Sequence, residues 1–217
     1  MKTKGFVFSM VFVLIVLVPL CVSAQNNKFY LTAKPGIYSP QTNYLEGFDA
    51  GFNGEIGFGY QPNKNFAAEM GLGYFATKGK ESYAGRVDSM SYSATGKIAI
   101  NVVPVTLTLK AIYPIDKWEL FALGGIGAYF VSTELKLNIA ADGISISDTM
   151  DDSTTIFGGH LGLGFHYNIT PRFFLGVEGK YLWTSEAKTQ GELFTVPFEA
   201  KGDLNGIIAT AVLGLRF

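Results

Sequence analysis

The 217-residue chain has little charge and almost no cysteine or histidine. Asp, Glu, Lys and Arg make up 16% of its residues, there are two histidines, and Cys21 is the only cysteine. A single cysteine cannot form a disulfide within the chain, which excludes a disulfide-stabilised scaffold. The formal net charge is −1, and because no basic tract is present we expect no nucleic-acid partner.

Long apolar runs are also missing, except at the N-terminus. Two lysines precede an apolar run from Phe6 to about Leu20, and Val22-Ser23-Ala24 offers small residues for cleavage. This layout is typical of a secretory signal peptide. We predict a cleaved signal peptide at residues 1–24 and a mature domain at residues 25–217. The mature domain has no run of about 18 apolar residues, so we expect no transmembrane helix in it.

Two other interpretations of the N-terminal segment fit less well. A permanent membrane anchor needs a longer apolar core than this one. Lipidation of Cys21 would require a small residue before the cysteine, and Leu20 is bulky.

The mature chain does contain a clear alternation of apolar and polar residues with a period of two, which indicates β-strands. Eight segments have this pattern: 29–38, 51–60, 66–77, 97–113, 118–137, 155–167, 172–184 and 204–217. Three connections are short and carry the Pro, Asn or Asp expected of turns, at residues 61–65, 114–117 and 168–171. Four are long and polar, at residues 39–50, 78–96, 138–154 and 185–203. This sorting of loop lengths is typical of bacterial outer membrane barrels, whose long loops are extracellular.

The stretch from Gly158 to Trp183 indicates which way the strands face. Bulky apolar residues such as Leu163 and Leu175 occupy odd positions, whereas even positions hold mostly glycine, histidine and charged residues such as Glu178. In lipid every backbone N–H and C=O must be paired within the protein, so strands span only as a closed barrel, with the large apolar face outward. We predict an all-β fold, an eight-stranded antiparallel transmembrane up-and-down β-barrel with both termini periplasmic. A soluble lipocalin-like barrel would instead turn its large residues inward.

One segment is ambiguous in its phase. In residues 118–137, Leu135 and Leu137 indicate that odd positions face outward. Trp118 and Glu119 break this phase near the turn. The odd-outward interpretation is favoured, but the phase of this segment stays open.

Aromatic residues stand at all eight strand ends beside the short turns and the termini. Rings with an apolar body suit the boundary between lipid tails and headgroups, so we predict an interfacial aromatic girdle. Its members are Phe29, Tyr60, Phe66, Tyr113, Trp118, Tyr167, Phe173 and Phe217. A looser second set is predicted at the opposite boundary: Phe52, Tyr74, Tyr129, Phe157 and Trp183.

Charged residues at inward positions are expected to fill the lumen, which is narrow in an eight-stranded barrel. They are Lys34, Glu55, Glu69, Lys110, Glu178, Lys180 and Arg216, joined by His160 and His166. Opposite charges lie at similar heights on neighbouring segments, for example Lys34 and Glu55. Because an unpaired charge there would cost several kcal/mol, we predict a lumen ion-pair network and no open pore.

Candidates for catalysis or metal binding are few. His160 and His166 share a face but lie about 20 Å apart along an extended strand, too far apart to form a two-histidine metal site on their own. No serine, histidine and acid stand out as the group that a lipid-cleaving barrel enzyme would need. We expect no enzymatic activity, no cofactor and no bound metal.

Several stretches together resemble a known family. They are Val103-Pro104-Val105-Thr106-Leu107, Trp118 with the GGIGAY run, and GGHLGLGFHYNITPRFFLGVEGKY. They are similar to the outer membrane protein beta-barrel domain family, whose relatives include the small barrels called outer membrane proteins A, X and W. The resemblance covers residues 25–217 and implies a Gram-negative outer membrane, with its lipids and lipopolysaccharide as surroundings. The terminal Leu215-Arg216-Phe217 resembles the assembly signal, ending in Phe217, that the barrel-assembly machinery recognises.

Two functions from different classes remain open at this point. We expect a monomeric structural or adhesive protein whose four long extracellular loops meet a host or envelope ligand. The alternative is a narrow conduit for small hydrophobic compounds, as the resemblance to protein W implies. A conduit predicts an apolar pocket at the outer mouth and a lateral opening in the wall.

Overall fold

The computed structural model describes residues 28–217 except for residues 46, 88–89, 142–143 and 194–195, so the predicted signal peptide and Cys21 lie outside the described residues. The described strands are β1 (Phe29–Pro40), β2 (Gly51–Asn63), β3 (Phe66–Val87), β4 (Met90–Ile115), β5 (Trp118–Ala141), β6 (Ile144–Asn168), β7 (Phe173–Thr184), β8 (Ala187–Leu193), β9 (Val196–Gly202) and β10 (Gly206–Arg216). A 3-10 turn spans Asn43–Leu45. Within the described residues, no helix has the length and hydropathy to cross a membrane.

Eight of these strands close into one antiparallel barrel. Around the barrel the order is β1, β10, β7, β6, β5, β4, β3 and β2. The closing contact joins the first strand to the last, in a register that runs from Tyr30 opposite Arg216 to Pro40 opposite Gly206. β8 and β9 form a separate hairpin in the connection between β7 and β10. The predicted eight-stranded antiparallel barrel is therefore confirmed.

The two ends of the barrel differ in the length of their connections. The turns after β2, β4 and β6 are short, and they lie at the same end as Phe29 and Phe217, which exchange backbone hydrogen bonds. We call this the short-turn end and the opposite one the long-loop end. In the two-residue turn between β4 and β5, Asp116 has a φ of 53°, a left-handed conformation that Asp adopts more readily than most residues.

Four strands are longer than the sequence pattern predicted, and three of the four predicted long loops contain strands. The predicted loop 185–203 contains the β8–β9 hairpin. β3 and β4 remain paired as far as Val87, through the segment 78–96 that was expected to be a loop. β5 and β6 remain paired as far as Ala141, through most of the segment 138–154. The prediction failed because it recognised a strand by its apolar face. A ladder that projects beyond the membrane has water on its outer face and needs no such pattern.

The outer face of the short-turn half is apolar, and the inner face is polar. Leu163 and Phe157 are 70% and 68% exposed, whereas Lys34 and Glu69 are 2% and 1% exposed. Phe157 and Tyr167 lie ten residues apart on β6, which is about 25 Å for a strand tilted by about 40° and matches the apolar band of outer membrane barrels. Hydrocarbon is the solvent that suits such an exterior.

β5 faces its even positions outward, so the odd-outward interpretation of residues 118–137 is wrong. Phe121 and Val131 are buried inside the barrel, and Phe130 is 50% exposed on the outside. Glu134 and Lys136 continue this outer face beyond the membrane. In β5 the charged residue near the short-turn end, Glu119, faces the lumen, whereas Glu134 and Lys136 face outward. Charged residues therefore did not indicate one consistent face of this strand.

Two prolines lie where a strand ladder is interrupted. Pro35 lies in a gap of the β1–β10 ladder and Pro104 in a gap of the β3–β4 ladder, each two residue pairs wide. Proline has no N–H to donate to the ladder. Both strands stay paired on their other side, where Pro35 lies opposite Gly54 and Pro104 opposite Tyr129.

An arginine on the outer face tests whether that face meets lipid. Leu163→Arg lies near mid-height of the apolar band, so we expect a loss of about 2–4 kcal/mol in the free energy of unfolding from lipid bilayers. Urea unfolding of the refolded protein, followed by tryptophan fluorescence, measures this loss. The matched control is Ser153→Arg, on the outer face of β6 beyond the membrane, which should change little. Equal effects of the two substitutions would contradict the membrane placement.

Candidate functional site

The lumen has three layers of different chemistry. The layer near the short-turn end is a buried cluster that includes Tyr30, Phe121 and Phe174. The layer toward the long-loop end is larger and apolar, and it includes Tyr38, Phe75, Ile100, Val102, Tyr129, Val131, Ile156, Leu182 and Ile208. Between them lie six buried charged side chains from five strands: Lys34, Glu55, Glu69, Lys110, Glu178 and Lys180. We call these six the ionic network.

Lys34 on β1 is the centre of the ionic network. Its Nζ lies 3.0 Å from Glu55 Oε1 and 3.3 Å from Glu178 Oε2, and it also donates to Glu69. An ammonium group has three hydrogens to donate, so three carboxylates satisfy it completely. Its side chain is 1% exposed, and no water is needed to complete its hydrogen bonding.

The other two lysines complete the charge balance of the network. Lys110 Nζ lies 3.0 Å from Glu69 Oε2 and 3.4 Å from Glu178 Oε2. Lys180 Nζ lies 2.8 Å from Glu55 Oε2. Three lysines and three glutamates leave no net charge. This matters because a buried charge without a partner is costly, whereas a well hydrogen-bonded group of pairs is tolerated.

Glycines on the inner face provide the space that the network occupies. A Cβ at Gly57 would lie 2.9 Å from Cδ of Glu69, and a Cβ at Gly71 would lie 3.1 Å from Cδ of Glu55. Both distances are shorter than a normal carbon–carbon contact. The glycine-rich face seen in the sequence therefore accommodates long charged side chains across a narrow barrel.

The structure brings six of the seven predicted lumen charges together, and Arg216 is the exception. Arg216 lies near the short-turn end, where Nη2 is 2.6 Å from Glu119 Oε2 and Nη1 donates to Asn168. Its guanidinium carbon lies 4.6 Å from the Phe174 ring centroid. The layer that contains Tyr30, Phe121 and Phe174 therefore separates Arg216 from the ionic network. Sequence reasoning did not include Glu119 in the lumen because the favoured odd-outward phase of β5 would place it on the outer face.

The two histidines occupy different layers. His160 Nε2 lies 2.9 Å from Thr108 Oγ1, beside the ionic network. The His166 ring packs between Phe121 and Phe174, with centroid distances of 4.5 and 4.6 Å. Both side chains are therefore held by packing inside the lumen.

All eight residues of the predicted girdle lie on the outer face at the short-turn end. Neighbouring rings contact each other, with centroids 5.0 Å apart for Phe29 and Tyr60 and 4.8 Å apart for Trp118 and Tyr167. Phe217 packs against Phe58 at 6.4 Å. At the opposite boundary one prediction is wrong. Tyr129 is 2% exposed and points into the lumen, because β5 faces its even positions outward.

A cavity of about 160 Å³ opens at the long-loop end. It lies beyond the apolar layer toward that end, which we call the upper apolar layer. We call this cavity the mouth pocket. Its walls are mostly apolar, and they include Leu45, Phe48, Ile98, Val131, Leu135 and Met150. Leu135 and Met150 lie directly opposite each other on β5 and β6, which places these apolar residues on the inner face of the projecting wall.

The fold and the lumen together define a transmembrane β-barrel. The family model for the outer membrane protein beta-barrel domain matches residues 10–217, and the chain belongs to this family. Family membership implies the bacterial outer membrane as its location. No curated protein sequence matches this chain significantly.

Solved structures of small outer membrane proteins are similar to this chain. OprG from Pseudomonas aeruginosa has a TM-score of 0.53 and 13% identity, covering 87% of this chain and 95% of that one. Neisserial surface protein A has a TM-score of 0.43 and 16% identity, covering 88% and 97%. A major outer membrane protein from Thermus thermophilus has a TM-score of 0.47 and 14% identity, covering 88% and 98%. At 13% identity the likeness to OprG shows the fold alone.

Removing the central lysine tests the energetics of the ionic network. Lys34→Met leaves three carboxylates with two lysines, so we expect a loss of about 3–5 kcal/mol in the free energy of unfolding. The double variant Lys34→Met with Glu178→Gln keeps the two short pairs, Lys110 with Glu69 and Lys180 with Glu55, and restores neutrality. It should recover most of that loss.

Urea unfolding of the single and double variants, with Glu178→Gln as the third member of the cycle, gives the coupling energy between the two sites. Electrophoresis without boiling reports the fraction folded for any variant too unstable to unfold reversibly. A double variant as unstable as Lys34→Met alone would show that charge balance does not hold this layer together.

Proposed function

We propose that this outer membrane protein has a structural or adhesive role, carried out by the parts of the barrel that project beyond the membrane. The observation that carries this proposal is a lumen filled at mid-height by the neutral ionic network, with a packed layer on each side. A side-chain-filled lumen is common in eight-stranded barrels. The membrane part is then an anchor, and binding falls to the projecting part.

The length of four strands supports this role for the projecting part. β4 has 26 residues and β6 has 25, whereas a tilted strand needs about 9–11 residues to span a bilayer. The β3–β4 and β5–β6 hairpins therefore rise well above the outer leaflet as continuous ladders. Such paired strands hold the projecting ladders in a defined position, which a binding surface requires. The β8–β9 hairpin adds a third projecting element.

We further propose that the barrel works as a monomer, and that the C-terminal Phe217 serves as its assembly signal. The outward Phe217 ring and its backbone hydrogen bonds to Phe29, at 2.9 and 3.3 Å, support this role. Phe217 lies where the first and last strands of the barrel pair, so its position depends on closure of the barrel.

Shortening the hairpins tests the adhesive role. Glu81 lies opposite Gly96, and Asn138 lies opposite Ser147, so residues 82–95 and 139–146 can each be replaced by an Asn-Gly turn without changing the register below. We expect at least a tenfold loss in attachment of bacteria expressing this double truncation to cultured epithelial cells. Heat-modifiable migration and surface labelling control for assembly. Unchanged attachment at equal surface level would contradict the proposal.

A narrow conduit for small hydrophobic compounds is the second candidate, and the mouth pocket favours it. In this candidate function an apolar compound binds against Leu135 and Met150, on the long-loop side of the apolar layer. The interrupted ladder at Pro104 lies below the pocket, and an interrupted ladder is a weak point at which a wall can open sideways. The ionic network argues against passage through the whole lumen, so this candidate requires a lateral exit.

A charge in the mouth pocket tests the second candidate. Met150→Arg places a cation in a pocket whose walls are mostly apolar, which should lower the affinity for a fluorescent apolar probe such as N-phenylnaphthylamine by at least tenfold. The control is again Ser153→Arg, on the outer face of the same strand. If wild-type protein in liposomes neither binds the probe nor speeds its uptake, the conduit proposal is wrong.

A further inference from the structure

Four lysines lie on the outer wall of the barrel, beyond its apolar band. They are Lys78 and Lys80 on β3, Lys97 on β4 and Lys136 on β5, and all four are exposed. They line one shallow groove of about 490 Å³ together with Asp49 and Glu134. Four lysines against two carboxylates give this lysine groove a net positive charge.

Three of these lysines lie side by side across three neighbouring strands. Lys80 is directly opposite Lys97, and Lys97 is directly opposite Lys136. Side chains opposite each other on one face have Cβ atoms about 4.5–5.5 Å apart, and like charges so placed are destabilising. Nothing in the fold requires this arrangement, because these positions face outward and carry no packing.

The repulsion is only partly relieved by acidic neighbours. Lys136 pairs with Glu134, two residues earlier on the same strand, and Asp151 lies opposite Glu134 on β6. Within the described part of the chain, neither Lys80 nor Lys97 has an acidic side chain at ion-pair distance. The unbalanced positive charge therefore lies on the β3–β4 side of the lysine groove.

The lysine groove lies just above the headgroup layer, close enough for lysine side chains to extend back toward it. Tyr74 marks the outer boundary of the apolar band on β3, and Lys78 and Lys80 follow four and six residues later. For a tilted strand this is about 10 and 15 Å above the Tyr74 ring, and the headgroup layer is about 5–8 Å thick on each side of the bilayer. Lysine side chains extend toward such a layer with their charged ends.

We propose that the lysine groove binds the phosphate groups of a phosphorylated glycolipid of the outer leaflet, of the lipopolysaccharide type. A phosphate between Lys80 and Lys97, within reach of Lys78, replaces the repulsion between these lysines with three attractive contacts. A lipid phosphate is favoured over free phosphate because its own acyl chains hold it in the headgroup layer, toward which these lysine side chains extend. The inference needs only the outer membrane location and is independent of the adhesive role.

The test uses the full mature chain refolded in a neutral detergent and titrated with diphosphorylated lipid A or with its dephosphorylated form. We expect wild-type protein to bind the phosphorylated form at least tenfold more tightly. Each lysine near a charged membrane surface contributes about a fivefold effect, so Lys97→Gln should weaken binding about fivefold. Lys80→Gln combined with Lys97→Gln should weaken it about 25-fold. The matched controls, Lys64→Gln and Lys117→Gln at the short-turn end, should bind like wild type.

A second readout separates binding from folding. Because Lys97 stands between two like charges, Lys97→Gln should unfold at the same or a higher temperature than wild type when no lipid is added. A lower unfolding temperature would contradict the argument from repulsion. Equal binding of dephosphorylated lipid A, unchanged binding by the double variant, or full competition by an equimolar concentration of inorganic phosphate would overturn the proposal.

Discussion

Within the membrane every backbone N–H and C=O must be paired inside the protein, and the architecture of the barrel follows from this requirement. Hydrocarbon offers the backbone no partner, so the sheet must close, and the contact between β1 and β10 completes it. Closure with eight strands leaves an interior that side chains fill. Charges placed there must then satisfy one another, which the Lys34-centred ionic network does with three lysines and three glutamates.

The polarity of the wall reverses along the barrel axis. Within the membrane, leucine and phenylalanine face outward and charge faces inward. Above it, Leu135 and Met150 face inward, while Lys97 and Lys136 face outward. One set of strands therefore provides both an inside-out membrane anchor and an ordinary water-bathed projection with an apolar interior. The mouth pocket and the lysine groove both belong to this upper part.

Sequence reasoning succeeded where one period of alternation ran unbroken through the membrane. It located all eight strands, the girdle positions and the six charges that meet in the lumen, because residues such as Glu55 and Lys110 stand out among glycine and threonine. It failed where the polarity of the wall reverses, because charged residues face the lumen within the membrane and face outward above it. Predicting these features requires the position of the membrane boundary, which no local sequence pattern gives. They are the phase of β5, the inward Tyr129, the partner Glu119 and the ladders through 78–96 and 138–154.

In the proposed role, the ionic network and its two packed layers close the lumen and binding falls to the projecting part. Recordings from planar bilayers, with insertion verified by heat-modifiable migration of the recovered protein, test it most directly. We expect no stable conductance steps for the wild-type protein at moderate voltage and salt. Stable, large steps that scale with the amount of inserted protein would contradict it.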